Sequence, residues 1–160
     1  MDDQKLLRQH LLELLEGKSA HIDLESALAD FPPAHINTRI DGSPHTPWQL
    51  LEHIRIAQWD ILEFSRNGDY KEMNWPDEYW PNEECTKERW EKSVERILSD
   101  LQAMRDLIAD EGTDLFAKIP HGDGQTVLRE ALLVADHNAY HLGQLVLLRR
   151  TFEATTETRT

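Results

Sequence analysis

Four stretches of the chain repeat apolar residues every three or four positions, the spacing that lines one face of an α-helix. The first runs from Asp2 to Glu16, with Leu7, Leu11, Leu14 and Leu15 on one face, Asp2 and Asp3 beside its positive end and Gly17 as its stop. Asp23 can cap a short extra helix, which Phe31-Pro32-Pro33 should end by about Asp30. The second long pattern has the clearest start: Thr46 caps, Pro47 suits the first helical position, and Gln49 completes a capping box. It runs to about Arg66, before Asn67-Gly68. Its stripe of Leu50, Ile54, Ala57 and Ile61 leaves His53 and Asp60 together on one flank. The third pattern starts near Thr86 and ends at Gly112, with Trp90, Val94, Ile97, Leu98, Leu101, Met104 and Ile108 inward. The fourth opens near Gln125 or Thr126 and continues to about Arg150, leaving Thr151 to Thr160 as a polar stretch expected to fray. No segment alternates as a strand. The pattern therefore predicts an all-α fold, an antiparallel four-helix bundle with a short extra helix after the first. It forms a single domain over residues 1–152 with a polar tail over 153–160.

The fourth pattern differs from the others. Leu128, Leu132, Ala135, Leu142, Val146 and Leu147 carry apolar surface most of the way round it, whereas an ordinary bundle helix needs one stripe. Two buried faces would explain this, one against the core and one against either a second subunit or the long loops, and a homodimer is one of the two expectations.

Charge narrows the partners. The 160 residues carry 17 Lys and Arg against 30 Asp and Glu, a formal net charge of −13, which repels phosphate backbones and anionic lipid headgroups. Neither nucleic acid nor a membrane surface is an expected partner. The most apolar stretch, Ala131 to Leu148, is interrupted by Asp136, His137, Asn138 and His141 and falls short of a membrane span. A single cysteine, Cys85, and a start of Met-Asp-Asp-Gln-Lys without a basic, apolar leader fit a reducing cytoplasm.

The chemistry concentrates in histidines. His137 and His141 stand at i and i+4 on the fourth helix, one turn apart and pointing the same way, a good bidentate platform for a divalent metal. Several residues could supply a third ligand. His53 is preferred because it lies on a helix at the edge of an apolar stripe, where it can face the pair across an antiparallel bundle. His10, His21, His35, His45 and His121 read as structural or solvated, with His45 and His121 near enough to helix ends to reach a pocket. Glu130, two turns before His137, and Asp60, two turns after His53, are the candidate catalytic residues. Each could orient a ligating imidazole or act as a base, or could simply end in an ion pair. Gln144 could reach a water or substrate at the metal, though a helix–helix hydrogen bond is the plainer role. The connection from Asn67 to Cys85, rich in Trp75, Tyr79 and Trp80, either covers one bundle end or forms a lid over a substrate pocket. Cys85 has no setting that marks a nucleophile.

Pro47 to His53, Pro-Trp-Gln-Leu-Leu-Glu-His, followed by His137-Asn138-Ala139-Tyr140-His141-Leu142-Gly143-Gln144 in the last helix, resembles the DinB-like superfamily. That group includes the YfiT-type metal-dependent hydrolases and the thiol transferases that use bacillithiol or mycothiol. The likeness in order, spacing and layout covers nearly the whole chain. It implies a four-helix bundle in which His53, His137 and His141 bind one divalent metal, commonly zinc or nickel, and a tendency to form homodimers. The expected function is a metal-dependent enzyme, a hydrolase or a low-molecular-weight-thiol S-transferase acting on a small molecule. The alternative is a non-catalytic, metal-binding, stress-related dimeric bundle.

Overall fold

The computed structural model describes residues 3–157. Asp2, named above as the start of the first helix, and residues 158–160 of the tail lie outside them. The described residues form five α-helices: α1 (Asp3–Glu16), α2 (Leu24–Leu28), α3 (Pro47–Arg66), α4 (Lys87–Ala109) and α5 (Val127–Glu157). A single 3-10 turn, Pro33–His35, follows α2. There is no strand among the described residues, only one isolated bridge between Lys118 and Thr126. None of their helices is long and apolar enough to cross a membrane.

Local chemistry sets the helix ends. Asp23 accepts from the Ser26 amide and caps α2, and Gly17 takes a positive φ of 73° that a side chain would resist. Thr46 and Gln49 form the reciprocal capping box of α3, satisfying amides that the helix leaves without partners. Thr86 caps α4, and the Thr126 hydroxyl accepts from the Arg129 amide at the start of α5. Two ends differ from expectation. α4 stops at Ala109 rather than Gly112, because the Asp110 carboxylate accepts from the Gly112 amide and the Thr113 hydroxyl and turns the chain early. α5 continues past Arg150 to Glu157, since Phe152 is buried and lies flat against His35, with ring centroids 4.4 Å apart. The expected tail is helical for most of its length because one aromatic residue finds a partner from a distant segment.

The four long helices pack as a bundle, with α2 closing one end against α4 and α5. Glu52 meets Ser93 and Gln58 meets the Ile97 carbonyl, so α3 and α4 run parallel. Leu50, Leu51 and Ile54 cluster with Leu142, Leu145 and Leu148, whereas Leu62 clusters with Ala131 and Val134, which makes α3 and α5 antiparallel. The parallel pair explains the long connection: residues 67–86 must travel back along α3, about 30 Å for a 20-residue helix, before α4 can start.

The core forms two apolar clusters. One gathers Trp48, Leu50, Leu51, Ile54, Trp90, Ile97, Leu142 and Leu145; the other gathers Leu11, Leu15, Leu62, Met104, Ile108, Ala131 and Val134. Between them along the helices lie the buried polar residues Gln58, Asp60 and Asn138, with His53 beside the first cluster and Glu130 beside the second. Gln58 donates to the Ile97 carbonyl and accepts from Asn138, each at 2.7 Å, so three helices share one hydrogen-bonded layer.

Candidate metal centre

His53 reaches the bundle interior from the first half of α3, and His137 and His141 reach it from one face of α5. The sequence placed one of these residues on the second long helix and two on successive turns of the last, and the antiparallel packing of α3 on α5 brings them together. Each offers a ring nitrogen, and the three atoms lie within 4.8 Å of one another. His53 Nε2 and His137 Nε2 are 3.1 Å apart.

Tautomers follow from the outer nitrogens. His53 Nδ1 lies 3.0 Å from the Tyr79 carbonyl oxygen, which can only accept, so Nδ1 carries the proton and Nε2 faces inward with its lone pair. His141 Nδ1 likewise donates to Gln144 Oε1 at 2.7 Å. Gln144 is thus the outer partner of His141 within its own helix, rather than a contact between helices. His137 Nδ1 and the neighbouring Asn138 Oδ1 are buried without a hydrogen-bond partner of normal geometry.

Burial keeps these rings neutral. It pushes His53 down to about 4, with the nearby His141 and His45 adding to it and the Tyr79 carbonyl opposing. His137 also falls to about 4, through burial first and then His141 and His53, and burial lowers His141. Neutral imidazole is the form that ligates a cation. The donor set fits one: three imidazoles suit zinc or nickel, and two nitrogens on one tetrahedral zinc stand about 3.3 Å apart for bonds of about 2.0 Å.

The crossover between α3 and α4 covers this cluster. Trp80 lies parallel to His53 with centroids 3.9 Å apart, and His45 stacks on Trp80 at 4.0 Å. Trp75 and Tyr140 stand at the rim, 68% and 66% exposed, with Tyr140 edge-on to His141. The crossover is pinned by Trp48 Nε1 donating to the Glu83 carbonyl and by a pair of hydrogen bonds between Asn37 and the Cys85 backbone.

The two carboxylates sit apart from the imidazole nitrogens. Asp60 accepts from the hydroxyls of Tyr70 at 2.8 Å and Tyr79 at 2.6 Å, one on each oxygen. Burial and this carboxylate both hold the tyrosine hydroxyls protonated. Glu130, 2% exposed, pairs with Arg129 at 2.8 Å. Burial nevertheless raises its carboxyl, and the charge of Asp60 adds to the rise. His121 lies elsewhere, bonded to the Phe64 carbonyl and stacked on Tyr70. Burial pushes the Cys85 thiol up to about 11, so it stays protonated at neutral pH. The Tyr79 carbonyl escaped the sequence reading because a backbone acceptor has no side-chain signature; the aromatic run around it was the available signal.

A family model described as the DinB superfamily covers residues 18–145, which includes α2 to most of α5 and all three histidines. No curated protein and no solved structure gives a significant match.

Proposed function

The chain belongs to the DinB superfamily, and from that premise we propose that it is a metal-dependent enzyme in which His53, His137 and His141 hold one divalent cation, zinc or nickel. The observation that carries this reading is the convergence of three neutral imidazoles on one point. Three protein ligands are the number found where a metal keeps a position open for chemistry, whereas a purely structural site is closed by four. When bound, such a cation supplies Lewis acidity that lowers the pKa of a coordinating water or thiol. The reaction class is accordingly hydrolysis, or transfer of a low-molecular-weight thiol to an electrophilic small molecule.

The chain's own residues prepare that chemistry. The Tyr79 carbonyl and Gln144 fix two ring orientations, and Trp80 shields His53 from water. Glu130, whose carboxyl burial raises, pairs with Arg129 two turns before His137, about 10 Å along the helix. That is beyond the reach of a direct or one-water proton transfer, so it is proposed as a supporting residue rather than the base. Asp60, with both oxygens engaged, is assigned an orienting role. The homodimer belongs to the same proposal: Leu132, Tyr140 and Leu147 line the outer face of α5 at 45%, 66% and 65% exposure, and the space beside Gly143 is open. The cytoplasm is the proposed location.

Metal analysis of untagged protein tests the centre. The expected result is near-stoichiometric zinc or nickel in the parent, lost in His53→Ala and His137→Ala while helical circular dichroism is retained. Parent protein that can be loaded with neither metal overturns the proposal. Loaded protein incubated with small thiols and a reactive electrophile, then with esters and amides, separates transferase from hydrolase.

A further inference from the structure

We propose that Asp60 is a positioning residue for the histidine centre and acts on it through Tyr79. The consequence for metal binding rests on the metal-centre reading above; the geometric part does not.

Asp60 and His53 lie two turns apart on α3, and one residue of the crossover touches both. Tyr79 sends its hydroxyl to Asp60 Oδ2 at 2.6 Å and presents its backbone carbonyl to His53 Nδ1 at 3.0 Å. A single tyrosine therefore lies along two turns of the helix, held at both ends. The carbonyl belongs to an irregular segment, so no helical hydrogen-bond ladder fixes where it points. The hydroxyl anchor supplies that restraint. The next residue, Trp80, covers the face of His53, so the same anchor also registers the indole. Asp60 is 9% exposed, its two oxygens take the Tyr79 and Tyr70 hydroxyls, and neither is hydrogen-bonded to an imidazole. Its influence on His53 must pass through the segment it holds.

What the anchor secures is a tautomer. With a carbonyl opposite Nδ1, the proton stays there and Nε2 presents its lone pair to His137. Without the anchor, the Tyr79 carbonyl can drift, and His53 is free to exchange tautomers or turn its ring. Partners that orient a ligating histidine typically alter metal affinity by about 10-fold to 100-fold when removed.

Three variants separate this role from general support: Asp60→Asn, Tyr79→Phe, and Tyr70→Phe as the control that removes the other hydroxyl from the same carboxylate. Zinc affinity is measured by competition with a chelator, and the cobalt-substituted proteins are compared by visible absorption. Asp60→Asn and Tyr79→Phe should weaken zinc binding about 10-fold or more and shift the cobalt bands, whereas Tyr70→Phe should leave both near the parent. Equal effects of Tyr70→Phe and Tyr79→Phe, or unchanged affinity and spectra in Tyr79→Phe, overturn the proposal. A second measurement is independent of metal: nitrogen-15 NMR of the His53 ring in metal-free protein. It should show the Nδ1–H tautomer in the parent and a mixture in Tyr79→Phe, even if Asp60→Asn fails to fold. A parent that binds neither zinc nor cobalt but shows this tautomer change sinks the metal reading and leaves the positioning role standing. An unchanged tautomer in Tyr79→Phe overturns the positioning role.

Discussion

The Nε2 atoms of His53 and His137 lie 3.1 Å apart, although one comes from α3 and the other from α5. At that distance two protonated rings would repel each other strongly, and burial already disfavours charge on either. The pair is therefore built to be neutral.

A pH dependence follows for the metal-free protein. In the unfolded chain these imidazoles take up protons near pH 6.5, whereas in the folded protein both resist until about pH 4. Between those values the unfolded state binds more protons, so the contribution to stability is complete above about pH 6.5 and lost as pH falls towards about 4. Urea midpoints measured in the presence of a chelator should fall across this window, and His53→Gln should flatten the fall. Glu130, whose carboxyl is raised, contributes with the opposite sign, so the comparison of parent and variant isolates the histidine term. Identical slopes in the two proteins would count against the neutral pair.

Trp80 is the cover on His53. Replacing it with Ala exposes the ring, so the His53 pKa should rise from about 4 towards the ordinary 6.5, as followed by NMR titration of metal-free protein. A chelator should also strip metal from Trp80→Ala faster than from the parent. No change in either quantity would mean that the indole does not shield the site.

Phe152 sets the length of α5. It is 3% exposed and stacks on His35, so Phe152→Ala should destabilise the protein by about 3–5 kcal/mol, read from urea unfolding. Loss of helical signal from the last turns should accompany it. A change below about 0.5 kcal/mol, the range of surface substitutions, would mean that this end of α5 is not docked.

The outer face of α5 tests the dimer. Leu132→Glu combined with Leu147→Glu places charge on an exposed apolar stripe without touching the core. Light scattering should show a dimeric parent and a monomeric double variant of unchanged helicity. A parent that is monomeric at high micromolar concentration removes the homodimer from the proposal.

The sequence by itself determined the helices and the donors. Helix starts were legible because capping is local: Thr46, Pro47 and Gln49 act within one turn of one another. His137 and His141 were legible as a pair because the helix period places i and i+4 on one face, and the preference for His53 followed from its place beside an apolar stripe. Only the tertiary structure decided what surrounds those donors. The parallel course of α3 and α4 obliges residues 67–86 to run back over His53, and a loop's path depends on which helix ends must be joined, which no local pattern records. That path brings the Tyr79 carbonyl to His53, both tyrosine hydroxyls to Asp60 and Trp80 onto the imidazole. The partner of Phe152 was hidden for the same reason, since His35 is far away in sequence and adjacent only after folding. Periodicity and caps act over one or two turns. The acceptors and covers that tune a histidine come from segments whose positions are fixed only when the whole bundle closes.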